Sequence, residues 1–237
     1  MAIGDPDKPR KAVLSLQTLA ILERKIIRLE LPPGMKLAEE DLCREYGVSR
    51  SPLREALRLL EASGLAVRSP RQGVRVAPMS LENLDHLFAC RLPLEALAAE
   101  SLIDNPQREE ALTIIERALQ KMRDRFSVGD SEGCFKANVA LTCALHDGAA
   151  NAVLRPLLAL VDKPALRYRH LAYMTSDELM RASITLNGAL VQAIRKQDRQ
   201  RTARVTGDLV ARAWKIVRKA VEQHFANAGP AKRRIRM

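Results

Sequence analysis

The fold of the N-terminal part of the chain is decided by residues 46–57, which have the sequence YGVSRSPLREAL. Gly47 favours the left-handed backbone conformation in which helices commonly end. Ser49 is a preferred N-cap residue for a helix that starts just after it. The stretch therefore predicts a tight turn between two helices, which we expect at about 38–46 and 50–63.

The second of these predicted helices carries arginines near its start. Arg50 and Arg54 are four residues apart and therefore share one face of the helix. Ser49 and Ser51 add hydroxyl groups at the end of the helix where backbone N–H groups can bind phosphate. A helix-turn-helix places this end of its second helix in the major groove of DNA, where an arginine can bind both acceptors of a guanine. We predict that these four residues contact DNA.

Two short extended segments follow, at 66–69 and 74–77, and Pro and Gly lie between them, which predicts a β-hairpin. Arg71 and Arg75 of this hairpin could contact the adjacent minor groove or the DNA backbone. Two arginines on an isolated helix most often form a solvated face. The order of helix, turn, helix and hairpin favours DNA binding instead.

Composition limits the possible classes of protein. The chain has 237 residues, with 39 Lys and Arg against 28 Asp and Glu, which gives a formal charge of +11. A field of that sign attracts polyanions, and an aromatic content of 3% disfavours a β-sandwich. No apolar run approaches the roughly 18 residues of a membrane-spanning helix, and the N-terminus lacks the apolar segment of a signal peptide. We expect a cytoplasmic protein with no membrane partner.

The remainder of the chain has helical periodicity throughout. The predicted fold class is mostly α, with an N-terminal winged helix-turn-helix, a small β-hairpin wing and a C-terminal antiparallel bundle of about six helices. The predicted helices of the bundle are 81–103, 107–127, 131–149, 152–173, 177–196 and 199–225. The predicted domains are a mobile tail at 1–12, the DNA-binding domain at 13–78, an all-helical effector-binding and dimerisation domain at 79–226, and a basic tail at 227–237.

The four cysteines show no CxxC spacing, which argues against a zinc ribbon or a thioredoxin motif. They are Cys43, Cys90, Cys134 and Cys143, and all four lie in apolar helical patterns. We expect reduced core residues without structural disulfides.

Residues 20–78 resemble the winged helix of the GntR family of bacterial transcription regulators, through LPPG at 31–34 and the stretch quoted above. The resemblance implies DNA contacts at Ser49, Arg50, Ser51 and Arg54 and a turn of the wing at Gly73. Some relatives carry a base-contacting arginine where this chain has Glu40.

The helical part resembles the ligand-binding FCD domain of the FadR subgroup, through RLPLE at 91–95 and NAVL at 151–154. The resemblance implies a homodimeric regulator, most often a repressor, that binds a palindromic DNA operator under the control of a small molecule.

Many members of that subgroup hold a divalent metal with one Asp and three His. The aligned positions in this chain are Asn138, Thr142, Asn187 and Leu209. A leucine cannot bind a metal, and Asn and Thr are weak neutral ligands. We therefore predict a metal-free pocket with no cofactor.

In relatives that bind organic acids, the metal and the arginine of R-x-x-L-E hold the carboxylate, which implies a binding role for Arg91. Neutral hydrogen bonds would come from Asn138, Thr142, Ser183 and Asn187, together with Tyr173. This set predicts a small polar or carboxylated metabolite, such as an organic or sugar acid. A long acyl chain is less favoured but stays open.

Other polar residues near these positions have a simpler interpretation. Arg167 and Arg169 are interpreted first as solvent or interface residues, and a place at the pocket is the alternative. A lone helical histidine such as His146 is more often structural or exposed. A regulator with a degenerate pocket and no effector stays open, whereas an enzyme is disfavoured because no catalytic pattern is found.

Overall fold

The computed structural model describes residues 8–70 and 72–227, and these divide into two compact units. The first unit ends at Met79 and the second begins at Ser80. Helix α1 begins at Lys8 and so includes residues 8–12 of the predicted mobile tail. The rest of that tail lies outside the described residues, as do Arg71 and residues 228–237 of the predicted basic tail.

The N-terminal unit is a winged helix-turn-helix, as predicted. Its elements are α1 (Lys8–Ile27), α2 (Glu39–Tyr46), α3 (Arg50–Ala62), β1 (Ala66–Ser69) and β2 (Gly73–Val76). The two strands pair antiparallel, with Ala66 opposite Val76. One face of α3 is fully buried through Leu53, Leu57 and Leu60, and it packs against α1.

The turn between α2 and α3 has the conformation that its sequence predicts. Gly47 has φ of 63°, and its N–H donates to the Cys43 carbonyl at the end of α2. Ser49 occupies the N-cap position of α3 with an extended backbone, and its hydroxyl makes no capping hydrogen bond. The hydroxyl therefore remains available to an external partner.

The described residues of the second unit form helices joined by short loops. Its elements are α4 (Leu81–Ile103), α5 (Arg108–Ser127), α6 (Ser131–Gly148), α7 (Leu154–Thr175), α8 (Glu178–Arg195) and α9 (Arg199–Asn227). The predicted fold class is confirmed, including the six helices of this unit. A core of buried Ala, Leu, Ile and Val side chains joins all six helices, for example through Leu102, Leu112, Leu158 and Ile194.

The expectation that all cysteines lie in the core is wrong. Cys134 is buried and Cys43 is half-buried, but Cys90 and Cys143 are exposed, and all four are free thiols. Apolar neighbours in the sequence do not show which face of a helix a small side chain occupies.

A network of charged side chains lies buried within the bundle, and we call it the buried ion network. Glu95 of α4 accepts from Arg91 Nη2 at 2.7 Å on one carboxylate oxygen and lies 2.8 Å from His146 Nε2 of α6 on the other. Asp162 of α7 lies 2.9 Å from Arg169 Nη1 and 3.3 Å from Arg91 Nη2 through the same oxygen. The network thus ties α4, α6 and α7 together.

Burial alone would raise the pKa of the Glu95 carboxyl. The positive charge of Arg91 and the hydrogen bond from His146 outweigh burial and hold this pKa well below its usual range. A buried charge is costly unless it is paired. Removal of one member of the network would therefore leave its partner with an unpaired buried charge.

Glu95→Gln should lower the free energy of unfolding by about 3–5 kcal/mol at neutral pH, because Arg91 loses its nearest carboxylate. The pKa of Glu95 is lower in the folded than in the unfolded protein. Its stabilising contribution is therefore present above the unfolded pKa of about 4.3 and is lost as the pH falls towards the folded value. Denaturant titrations at fixed protein concentration should show the gap between wild type and variant narrowing below about pH 4.

The matched control is Glu222→Gln, which removes an exposed carboxylate that pairs with Arg218 four residues earlier. It should cost less than about 1 kcal/mol. Equal costs for the two variants would contradict a stabilising role for the buried ion network.

Candidate DNA-binding surface and effector cavity

The exposed face of α3 carries three arginines in a row. Arg50 is exposed at its first position. Arg54 and Arg58 follow at intervals of four residues, with 61% and 75% of their side-chain surface exposed. Sequence reasoning identified the first two but missed Arg58, which the same spacing could have found. Ser49 and Ser51 lie at the start of this face, and both are exposed.

Arg54 is held in place by a residue of the preceding helix. Its Nε lies 2.8 Å from Glu39 Oε2 at the start of α2. Because this ion pair uses Nε, both terminal nitrogens remain as donors for a base or a phosphate. Glu40, which stands where some relatives have arginine, instead lies 3.9 Å from Arg44.

The wing turns at Gly73, where φ is 77° and a Cβ atom would meet no atom within 4 Å. Glycine is needed there for its backbone conformation rather than for space. Arg75 of β2 donates from Nη1 to the Gly34 carbonyl at 2.9 Å, and it is half-buried. This bond holds the wing to the loop after α1 and uses one of the N–H donors of the Arg75 guanidinium. DNA contact by Arg75 therefore stays a prediction, and fewer of its N–H groups remain for that contact.

The helical unit encloses a cavity of about 40 Å³. Residues of α4, α6, α7, α8 and α9 form its wall. All six predicted effector residues lie on that wall, namely Arg91, Asn138, Thr142, Tyr173, Ser183 and Asn187. A single buried water needs roughly 10–15 Å³ by this measure, so the cavity has room for only a few waters in this conformation.

The four positions aligned with the metal ligands of relatives meet at this cavity. Asn138 and Thr142 lie one turn apart on α6, while Asn187 is on α8 and Leu209 on α9. Two amides, a hydroxyl and an aliphatic chain do not fit a divalent transition metal. The described part of the chain also contains no group of three or more His, Cys, Asp or Glu side chains suited to a metal.

The interpretation of Arg167 and Arg169 as solvent or interface residues is wrong. Their relative exposures are 1% and 6%, because residues 164–173 of α7 are buried on every side by the surrounding helices. Arg169 lies on the cavity wall. Its Nη2 donates to Asn138 Oδ1 and lies 3.5 Å from Thr142 Oγ1.

Arg91 lies on the wall as expected, but two internal carboxylates already bind it, as described for the buried ion network. His146 is buried behind it as the partner of Glu95, in agreement with a structural role. Tyr173 lies next to Ser183, and burial raises the pKa of its hydroxyl well above the usual value. The hydroxyl therefore stays a neutral donor on the wall.

No helix among the described residues is both long and apolar enough to span a membrane. Residues 14–76 match the family model described as bacterial regulatory proteins, gntR family, and residues 86–212 match the FCD domain.

Three relatives illustrate the similarity. The HTH-type transcriptional regulator YdhC of Bacillus subtilis is 31% identical over 82% of this chain and 85% of its own length. The gluconate operon transcriptional repressor of Bacillus licheniformis is 29% identical over 52% of this chain and 49% of its own. The solved structure of McbR from Escherichia coli superposes with a TM-score of 0.75 at 22% identity, over 87% of this chain and 97% of that one, and shows the same fold. The chain therefore belongs to the GntR family of bacterial regulatory proteins, with an N-terminal helix-turn-helix domain and a C-terminal FCD domain.

Proposed function

We propose that the protein is a cytoplasmic homodimeric repressor of the FadR subgroup whose operator binding is controlled by a small polar or carboxylated metabolite, such as an organic or sugar acid. The metabolite would bind in the metal-free cavity of the helical unit. The observation that supports this most is the convergence of all six predicted effector residues on one buried cavity. That cavity belongs to the same chain as an exposed row of arginines on the second helix of a helix-turn-helix.

The DNA-binding half of the proposal rests on α3. A dimer would present two such helices to the two halves of a palindromic operator, with the half-site spacing fixed by the protein. Arg50 and Arg54 would read bases, while Ser49 and Ser51 would contact phosphates. Arg58, one turn further along the same face, would also contact the DNA backbone.

The effector half rests on the character of the cavity. Its wall combines charged and neutral polar groups with apolar side chains such as Leu141 and Leu209, which suits a small polar molecule. A metabolite larger than a few waters must displace wall residues. Such displacement would couple binding to helix movement, and the coupling between effector and operator must be reciprocal.

One observation favours the alternative of a regulator without an effector. The cavity is small, and the metal ligands of relatives are absent from the aligned positions. A fully filled apolar core would support that alternative, but here the wall includes Arg91 and Asn138. We therefore favour an effector. We propose no catalytic activity, since the relatives are transcriptional regulators.

Arg50→Ala and Arg54→Ala should each weaken operator binding by about 5- to 150-fold, because each removes a base-reading side chain. The operator can be selected from random DNA with the wild-type protein, and affinities measured by fluorescence anisotropy at one salt concentration. The matched control is Arg181→Ala, an exposed arginine that pairs with Asp177 in the helical unit. If the α3 variants bind as tightly as this control, the two arginines do not read the operator.

The purified native protein should contain no stoichiometric divalent metal. One metabolite from a panel of carboxylates and sugar acids, with gluconate included, should raise its melting temperature in the presence of a chelator and change its operator affinity. Elemental analysis measures the metal content, a thermal-shift screen measures the melting temperature, and fluorescence anisotropy measures the operator affinity. Bound metal would show that the four aligned positions are assigned wrongly. A panel with no effect on melting or operator binding would favour the regulator without an effector.

A further inference from the structure

We propose that Arg169 is the anion-binding group of the cavity and serves as its permanent cation, so that the carboxylate of an effector binds its guanidinium directly. This inference rests on the proposed function insofar as the cavity is the effector site. The sequence pattern favours a solvent or interface position for Arg169 and a carboxylate-binding role for Arg91. The proposal differs on both residues.

The two guanidinium groups on the wall have different electrostatic surroundings. Arg91 contacts the carboxylates of both Glu95 and Asp162 through Nη2, at 2.7 and 3.3 Å. Glu95 itself lies on the wall beside it. An incoming anion at Arg91 would therefore face a buried negative charge within a few ångströms, which is strongly unfavourable in a poorly solvated site.

Arg169 has one carboxylate contact, from Nη1 to Asp162 at 2.9 Å. Its Nη2 instead contacts the neutral oxygens of Asn138 and Thr142. Asp162 is not among the residues that line the cavity. Within the cavity wall, Arg169 and its two α6 partners thus present a guanidinium whose single carboxylate partner, Asp162, lies outside the lining.

The same contacts explain why the metal ligands of relatives are missing. Asn138 and Thr142 stand at the aligned ligand positions, and the guanidinium of Arg169 binds both of their side-chain oxygens. A divalent cation held by these side chains would be repelled by a guanidinium at hydrogen-bond distance. Arg169 and a metal are therefore alternatives, and this chain has the arginine.

The chemistry and the volume define the ligand class. A guanidinium can bind a carboxylate with two parallel hydrogen bonds, and at Nη2 an incoming carboxylate would replace the neutral oxygens of Asn138 and Thr142. The cavity volume of about 40 Å³ is on the scale of formate or acetate. Larger acids would place their carboxylate here and displace other wall residues. The smallest carboxylates should therefore bind on their own, weakly but saturably.

The test uses the full-length protein after treatment with a chelator, with ligand-observed NMR to follow acetate binding at constant ionic strength. Acetamide, the neutral analogue of the same shape, is the ligand control. Acetate should bind saturably and acetamide about tenfold more weakly or worse. Absence of saturable acetate binding, or equal binding of the two ligands, would overturn the proposal.

Two variants attribute the binding to Arg169. Arg169→Gln removes the charge, and Asn138→Asp places a carboxylate on Nη2 without changing the side-chain volume. Both should weaken acetate binding by about tenfold or more. Asn138→Asp gains an internal ion pair, so it carries the test if Arg169→Gln does not fold. Arg181 is exposed and does not line the cavity, so Arg181→Gln should bind acetate as the wild type does. Undiminished binding by Asn138→Asp would contradict the role of Arg169.

Operator binding measured on the same proteins separates this inference from the proposed function. If acetate binds through Arg169 but no carboxylate changes operator affinity, effector control fails and the anion site stands. If a metabolite changes operator affinity equally in wild type and Asn138→Asp, effector control stands and the assignment of Arg169 fails.

Discussion

The position of Glu95 between Arg91 and His146 is the constraint on which the helical unit depends. The carboxylate joins α4 to α6, and Asp162 extends the same connection to α7 through two guanidinium groups. Each of these charges is costly to bury and becomes tolerable only when its partners are present. Apolar packing supplies most of the free energy of folding, but it is compatible with small shifts of one helix along another. The ion pairs permit one arrangement, and so they fix where the cavity wall lies.

This arrangement also distinguishes charges that are fully paired within the protein from a charge that has neutral contacts at the cavity. At one end of the buried ion network, Glu95 lies on the cavity wall, but its two carboxylate oxygens are already paired with His146 and Arg91. The other end reaches the cavity through Arg169, whose second contacts are neutral oxygens. A displacement of Arg169 would change its contact with Asp162 and, through Asp162, the contact between Asp162 and Arg91. A ligand bound at Arg169, as proposed, would therefore act on the contacts that position these helices, which is one physical route for coupling the cavity to the rest of the unit.

Local signals in the sequence predicted much of this structure. The helix bounds follow glycine, proline and capping residues. Gly47 adopts the left-handed conformation at the end of α2, and Ser49 occupies the N-cap position of α3, although its hydroxyl makes no capping hydrogen bond. The wall positions on α6 and α8 followed from family spacing. The burial of Arg167 and Arg169 could not be predicted, because it depends on the four helices that pack against α7, namely α4, α6, α8 and α9. The internal partner of Arg75 was missed for the same reason, since Gly34 is distant in sequence.

If Arg169 binds the effector in place of a metal, as proposed, the regulator responds to a different set of signals. A bound ion must be acquired from solution, so a site that needs one responds to both the ion and the effector by mass action. The charge of Arg169 is covalently part of the chain and is partly balanced by Asp162. Under the proposal, the occupancy of the cavity depends on the effector alone. How far Asp162 already neutralises the guanidinium would then set the affinity for the anion, so this single carboxylate would determine affinity as well as stability.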